Sequence, residues 1–344
     1  MVLLLYVDDI ILTGSSSSLI QSFTTSLHDE FAMKDLGPLH YFLGVHVSSM
    51  PTGLFLQQTK YAIDILERGG MHESKPINTL MCTKTKPDPD YPLHPDPYLY
   101  LSLVGALQYL TLTRLDLSYR INFISQFMHA PTEAHFSIVR RILRYVKGII
   151  HLGLHIQASS SLDLYGFSDS DWAGCPLTRR STAGYCTFLG SNIISWCAKK
   201  QPTIARSSLE AEYRALAQAA AEITWIMFLL RDLLVPLHNP PILFCDNMSS
   251  LFMTVNPVFH ARSKHIELDY HYIRERVSLG LLGKENPSDI IPPQAFHICT
   301  IMYTSGTSGD PKGVAALLTH ENTAYFIRGM DLFMEQFEDK YEDC

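Results

Sequence analysis

Paired cysteines, a surplus of cations and long uncharged apolar runs are all missing from this chain of 344 residues. Its cysteines (Cys82, Cys175, Cys186, Cys197, Cys245, Cys299 and Cys344) form no CxxC pair and no zinc-type spacing. Their odd number excludes a complete disulfide framework and points to reduced thiols in an intracellular protein, cytoplasmic or nuclear. The net charge is −7, from 27 Lys+Arg against 34 Asp+Glu, so no global basic surface is available for phosphate. No apolar run approaches the length of a membrane span. The N-terminus is apolar, but it carries Asp8 and Asp9 and no basic leader, so no signal peptide is expected. With 47% hydrophobic and 18% charged residues, the chain has the composition of a core-forming globular protein of two or three domains.

The cations that are present are clustered. Arg140, Arg141, Arg144 and Lys147 share a helical spacing, while Arg179, Arg180, Lys199, Lys200 and Arg206 follow an acid-rich strand. Part of the acidic excess sits in the tail from Asp331 to Asp343. A local basic face and ordinary solvated charge are both compatible with this pattern.

The chain is organised around residues 162–276. Asp169 lies near the end of an alternating apolar run, which reads as a strand; Glu212 lies on an Ala/Leu-rich segment of helical period; Asp246 ends a second strand-like run. Clustered carboxylates repel one another unless cations hold them. Two hard divalent ions about 4 Å apart, Mg²⁺ or Mn²⁺, could use such acids for phosphodiester hydrolysis. Taken singly, an acid at a strand end is more often a solvated turn residue.

The segments SDSDWAG, TRRSTAGYC, ISWCAKKQPT, RSSLEAEYRAL, CDN and RSKHIELDYHYIRERV, in this order, resemble the ribonuclease H domain of copia-type retrotransposon polyproteins. The resemblance implies Asp169, Glu212 and Asp246 as catalytic metal ligands and an RNA–DNA hybrid as substrate. Glu210 competes with Glu212; the frame Ala-Glu-Tyr-x-Ala-Leu favours Glu212. Trp172 and Trp196 are expected in the core, and Leu216–Leu234 as a buried apolar helix. Ser181 and Thr182 could touch phosphate or cap an element. His265, His271 and Arg274 belong to the same motif and are expected to be structural or phosphate-facing.

Upstream, residues 1–14 read as a hairpin with Asp8 and Asp9 at its turn. Tyr6-Val7-Asp8-Asp9 resembles the active-site turn of reverse transcriptases, and Met33–Gly44 matches its copia-type continuation; the resemblance makes Asp8 and Asp9 polymerase metal ligands in an intact parent. The remaining palm and fingers would lie before residue 1, so no polymerase activity is expected, and the hairpin's apolar face should be exposed. Gly53–Gln58 and Tyr61–Leu66 read as strand then helix. A proline-dense linker (Pro87, Pro89, Pro92, Pro95, Pro97) follows. Leu103–Leu110, Ser125–Met128 and Ala134–Lys147 are helical by period and resemble the copia-type connection, with Thr113-Arg114-Leu115-Asp116 where the family often has Thr-Arg-Pro-Asp. Packing is the first role expected of this segment, with backbone contact through Arg140, Arg141 and Arg144 as the alternative.

The ribonuclease H resemblance ends near Gly280. The family's closing Ala-Asp-Ile-x-Thr-Lys helix, with its fourth acid, does not follow; Glu267 and Asp269 are weak substitutes. This implies a weakened second metal site and an impaired nuclease. Tyr303-Thr304-Ser305-Gly306-Thr307-Ser308-Gly309-Asp310-Pro311-Lys312-Gly313 is a small-residue loop that lets backbone N–H groups approach phosphate, with Lys312 as counter-charge. It is not the Walker pattern. It resembles the phosphate loop of adenylate-forming enzymes, and 281–344 as a whole resembles plant long-chain acyl-CoA synthetases. By that resemblance Thr304, Ser305, Gly306, Thr307, Ser308, Gly309, Lys312 and Gly313 would contact ATP, although the rest of that family's site is not in the chain and ligase activity is not expected.

The expected fold is therefore α/β: a ribonuclease H-like mixed sheet with helices (161–280, C-terminally truncated), preceded by a reverse-transcriptase palm remnant (1–80) and a linker with helical connection (81–160), and followed by a partial adenylate-forming segment (281–344). Two functional classes follow: a two-metal nuclease acting on RNA–DNA hybrids, or a non-catalytic transposon relic that at most binds nucleic acid.

Overall fold

The computed structural model describes residues 1–7, 9–31, 33–80, 91–175, 177–255, 266–278, 283–285, 300–305 and 311–316. The chain opens on the hairpin β1 (Val2–Tyr6) and β2 (Asp9–Thr13), with Tyr6 opposite Asp9. Leu3, Leu4, Leu5 and Val7 are exposed, the apolar surface anticipated for it. Helix α1 (Ser17–Glu30) is capped by Ser16, whose hydroxyl accepts from the Leu19 N–H, and buries no residue.

An antiparallel sheet follows in the order β3 (Tyr41–Phe42), β4 (Val45–Met50), β5 (Gly53–Gln57) and β6 (Gly153–Gln157). At Gly53, with φ +152°, an added Cβ would lie 1.9 Å from the Ile156 carbonyl oxygen, so β5 and β6 close only around glycine. Four helices of this unit pack on one another: α2 (Thr59–Arg68), α3 (Pro97–Leu110), α4 (Ser118–Ser125) and α5 (Glu133–Gly148). Asp96 caps α3 by accepting from the Leu99 N–H, and Pro97 sits at the first turn, where its missing N–H costs nothing. The core of this unit joins Ile65 of α2 to Leu103, Leu107, Ile121, Val139 and Ile142. It therefore runs across residue 80. Helix α4 stops at Ser125, and residues 126–129 form turns instead of the expected helix.

Two sequence features of this unit have structural uses. Arg114 and Asp116 make a buried ion pair at 2.6 Å, and Arg114 Nη1 also donates to the Ile149 carbonyl at 3.2 Å. Burial works against the Arg114 charge, but the adjacent Asp116 carboxylate outweighs it and leaves the pKa above its ordinary value. The basic run on α5 mostly faces its own chain. Arg144 donates to the Lys75 carbonyl at 2.7 Å, Lys147 to that of Ser74 at 2.7 Å, and Arg141 to Thr79. Arg140 stacks on the Phe136 ring. These cations hold the 72–79 loop, in line with a packing role.

The second unit is a mixed sheet built from β7 (Leu164–Asp171), β8 (Thr182–Leu189), β9 (Asn192–Lys200), β10 (Ile242–Cys245) and β11 (Gly283–Glu285). Its order is β11-β10-β7-β8-β9. The first three strands form an antiparallel meander, while β10 runs parallel to β7 and β11 parallel to β10. Helices α6 (Ser208–Asp232), α7 (Met248–Val255) and α8 (Glu267–Ser278) complete it. This is the expected ribonuclease H-like architecture. A fifth, three-residue strand is nevertheless present just past Gly280, where the sequence resemblance stops.

Alternation along β7 supplies both faces of the sheet. Leu164 joins Tyr213, Leu216, Ile223, Leu243 and Tyr270 against the helices. Phe167 joins Phe188 and Phe244 on the aromatic side, with Leu115 and Leu154 of the first unit packed against them. The units are also bonded edge to edge: the Gln157 N–H donates to Asn192 Oδ1 at 2.7 Å, and Asn192 Nδ2 returns a bond to the Gln157 carbonyl at 3.0 Å.

Two packing expectations need correction. Trp172 is 45% exposed, and its indole N–H donates to the Ala205 carbonyl. Trp196 is half-buried, as a core residue would be, and donates to the Thr111 carbonyl. Helix α6 buries Ile223, Ile226 and Leu230 but leaves Trp225, Phe228, Leu229 and Leu233 exposed, because it outruns the sheet that covers its first turns. Farther on, β12 (Thr300–Ser305) and β13 (Pro311–Ala316) pair antiparallel.

Candidate metal centre

Strand register brings two of the acids together. The parallel pairing of β10 with β7 sets Phe244 opposite Phe167 and Cys245 opposite Ser168. One residue further, Asp246 is level with Asp169. The third acid arrives on α6, which lies across β7 in the opposite sense. Near its middle, Ile223 approaches Gly166 so closely that an added Cβ there would meet Ile223 Cδ1 at 3.1 Å. Near its start, Gln201 Nε2 donates to the Ala211 carbonyl at 2.9 Å and to Ser170 Oγ at 3.4 Å. The next residue after Ala211 is Glu212.

The resulting cluster is buried and electrostatically crowded. Glu212 is 8% exposed. Burial, then the charges of Asp169 and Asp246, push its carboxyl up to about 9. Burial and then the Asp246 charge push Asp169 up to about 7. Glu212 Oε2 and Asp169 Oδ1 are both shielded from solvent and accept no hydrogen bond. Buried acceptors without donors are costly, and a bound cation removes that cost. Ligand atoms of Glu212, Cys245 and Asp246 lie within 4.8 Å of one another.

Glu210 is placed differently from Glu212. At the third position of α6, its Oε2 accepts from the Arg206 N–H at 2.7 Å and its Oε1 pairs with Arg214 at 2.6 Å. It secures the helix start beside the cap Ser207. Asp171 accepts from the Thr182 N–H and from the Tyr119 hydroxyl at 3.4 Å. Ser181 is fully buried and accepts from the Ala173 N–H, so it caps the turn. Neither Glu267 nor Asp269 joins the cluster. Glu267 is exposed and 4.0 Å from His271; Asp269 is raised by burial and lowered by Arg214. Arg274 stacks on Tyr270 and donates to its hydroxyl at 3.3 Å. A groove of about 880 Å³ opens between α6 and α8, lined by Gln218, Asp269 and Arg274 among others, and none of the three clustered acids lines it.

Other sequence-derived candidates lie elsewhere. Asp9 is an exposed residue of β2, away from this cluster; Asp8 and His265 lie outside the described residues. Thr304 and Ser305 are on β12, with Lys312 and Gly313 on β13 in the pairs Thr304–Lys312 and Tyr303–Gly313. Gly306, Thr307, Ser308 and Gly309 lie outside the described residues. Sequence reasoning missed Cys245 as a wall of the cluster, although it directly precedes Asp246, and missed Gln201 as the brace between β7 and α6.

Residues 1–83 match the family of reverse transcriptases (RNA-dependent DNA polymerases), and residues 251–343 match the AMP-binding enzymes. An uncharacterized mitochondrial protein of Arabidopsis thaliana is 57% identical over 225 residues, covering 65% of this chain and 94% of that one. The retrovirus-related Pol polyprotein from transposon RE2 of the same plant is 44% identical over 285 residues, covering 81% of this chain. The chain belongs to the copia-type retrotransposon Pol family. It spans 19% of the length of the RE2 polyprotein. Beyond the Pol region, the chain is 68% identical over 59 residues to long chain acyl-CoA synthetase 1 of Arabidopsis thaliana, which is 9% of that protein. It is thus a Pol segment joined to a piece similar to an acyl-CoA synthetase. The AMP-binding match opens inside α7, so it overlaps the ribonuclease H-like unit. Among solved structures, the foamy viral protease-reverse transcriptase aligns with a TM-score of 0.48 and 13% identity, over 84% of this chain and 46% of that one.

Proposed function

We propose that residues 161–280 form a metal-dependent nuclease centre that hydrolyses the RNA strand of RNA–DNA hybrids. The observation that carries this reading is the gathering of half-buried Asp169 and Asp246 around buried Glu212, with one acceptor oxygen each of Asp169 and Glu212 left without a donor. Carboxylates so placed repel one another and stay partly protonated without a cation. Asp169, Glu212 and Asp246 would hold Mg²⁺ or Mn²⁺, the hard ions that suit oxygen ligands. When bound, these ions activate water at neutral pH and stabilise the leaving oxygen of the cleaved phosphodiester.

The chain's own residues supply position. Register between β7 and β10 aligns Asp169 with Asp246, and Gln201 fixes the start of α6 so that Glu212 meets both. The hybrid backbone has exposed cations nearby. Arg179, Arg180, Lys199 and Arg206 are solvent-facing, and Lys199 pairs through Ala183 with Ser170, next to Asp169. They offer the local positive face that the net charge of the chain does not. A fourth carboxylate, Asp171, acts on both Asp169 and Glu212, but it accepts from the Thr182 N–H and from the Tyr119 hydroxyl. ATP contact by Thr304–Gly313 is not part of this reading, since the similar segment is 9% of an acyl-CoA synthetase.

The test is cleavage of a labelled RNA–DNA hybrid by the purified chain in Mg²⁺ or Mn²⁺, beside Asp169→Asn. Metal-dependent cleavage that the substitution abolishes is expected. A folded sample that leaves the hybrid intact in both metals would overturn the proposal in favour of a non-catalytic relic.

A further inference from the structure

The cluster carries a chemical feature that three carboxylates alone do not have: a thiol in its wall. Cys245 is 1% exposed and sits at the end of β10, where the register with Ser168 of β7 sets it beside the acids. Its Sγ and one oxygen each of Glu212 and Asp246 all lie within 4.8 Å of one another. Burial, and then the charges of Glu212, Asp246 and Asp169, push the thiol up and keep it protonated in the metal-free chain. A second observation points to a ligand. Glu212 is more than nine-tenths buried, and its Oε2 accepts no hydrogen bond.

We propose that Glu212, Cys245 and Asp246 form a mixed sulfur–oxygen site that captures soft or borderline divalent cations of the Zn²⁺ and Cd²⁺ class, and that such an ion occupies the centre in competition with Mg²⁺. The proposal rests on reading the acid cluster as a metal centre. Oxygen-only sites suit Mg²⁺ and Mn²⁺, whereas a thiolate ligand shifts preference to softer ions. Zinc binds sulfur at about 2.3 Å and carboxylate oxygen at about 2.0–2.2 Å, so ligand atoms must close to about 3.5 Å. From within 4.8 Å, side-chain rotations suffice. As the metal–sulfur bond forms, the thiol proton leaves to solvent and the sulfur donates its electron pair to the cation; no oxidant or reductant is needed. Mg²⁺, which keeps its water and avoids sulfur, uses the oxygens and leaves Cys245 protonated.

The competition is between ions of like charge for shared carboxylates, so it has a sign. Soft-ion binding weakens as Mg²⁺ rises, and Mg²⁺ binding weakens as the soft ion rises. In the chain this makes the nuclease centre sensitive to free zinc.

The experiment titrates Cd²⁺ alone into the full-length metal-free chain and reads the ultraviolet thiolate-to-cadmium charge-transfer band. Cys245→Ser removes the soft ligand, and Glu212→Gln keeps the thiol while removing an oxygen ligand. The difference from the parent chain isolates this site from the other cysteines. One equivalent of band intensity should vanish in Cys245→Ser, and Glu212→Gln should weaken Cd²⁺ affinity at that site about tenfold or more. Excess Mg²⁺ should raise the apparent Kd of the parent chain. A band of unchanged intensity and affinity in Cys245→Ser would overturn the proposal. If Cys245→Ser does not fold, the same band and affinity in folded Glu212→Gln as in the parent would overturn it equally. Hybrid cleavage by the parent chain is scored separately: cleavage without a Cys245-dependent band refutes the soft-ion site and leaves the nuclease standing, and the band without cleavage does the reverse.

Discussion

Replacing Glu212 by Gln should stabilise the metal-free protein, and the size of the gain follows from the proton that folding forces this carboxyl to keep. The carboxyl is pushed from an ordinary 4.5 to about 9 by burial and by Asp169 and Asp246. A raised carboxyl has a definite sign. Below pH 4 the folded and unfolded forms are both protonated, so nothing is lost. As pH rises above 4.5, the unfolded chain releases this proton and the folded chain keeps it, so stability falls until the folded value is passed. From 4.5 to pH 7, at about 1.36 kcal/mol per pH unit, the loss is about 3 kcal/mol. Gln carries no charge and escapes it, although its amide meets a site poor in partners and costs about 1 kcal/mol. The net gain at pH 7 is about 2 kcal/mol, a rise in Tm of about 4–8 °C. Thermal unfolding in a chelator from pH 4 to 9 measures this. The parent should lose Tm with pH more steeply than Glu212→Gln, with the two converging near pH 4. Mg²⁺ should raise the parent more than the variant. Parallel pH profiles would refute the electrostatic account of the cluster.

Two further predictions concern residues outside the centre. Arg114→Ala strands the buried Asp116 carboxylate and should cost about 3–5 kcal/mol, read as a shift of the denaturant midpoint. Arg114→Ala together with Asp116→Ala should recover part of that loss, and no recovery would argue against a paired role. Among the four described cysteines, Cys175 should alkylate first near neutral pH. Burial raises its thiol, but hydrogen bonds from Thr178 and Lys200 outweigh this and bring it to about 7, whereas burial alone pushes Cys186 up to about 12. Mass-mapped iodoacetamide labelling at pH 7 tests the order, and Lys200→Met should slow the Cys175 reaction.

Much of the architecture was legible in the sequence because local pattern and local structure agree. The alternating run before Asp169 is β7, the short apolar run before Asp246 is β10, and the Ala/Leu-rich segment is α6. Glu210 and Glu212 lie two residues apart on a helix and so point to different sides. Glu210 turns to Arg206 and Arg214, and Glu212 turns inward. What the pattern misjudged was long-range cover. Leu216–Leu234 is apolar enough to be buried, but among the described residues no element covers its outer face at Trp225 and Phe228, which are exposed. Trp172 has a core residue's composition and a surface residue's position, with its indole N–H on the Ala205 carbonyl and 45% of the residue exposed.

Residue identity alone determined that three acids, a nuclease-like frame and a second, unrelated C-terminal segment stand in one chain. It also determined that the basic run on α5 would be helical. Only the tertiary structure decided what those groups meet. Packing of α6 across β7, which no local signal encodes, put Glu212 beside Cys245 and Asp246 and made the cluster chemically mixed. Packing of α5 on the 72–79 loop turned Arg141, Arg144 and Lys147 from candidate phosphate contacts into braces for backbone carbonyls. Both outcomes depend on which distant segments come within a few ångströms, and that is set by the closing of the whole core rather than by any stretch of sequence on its own.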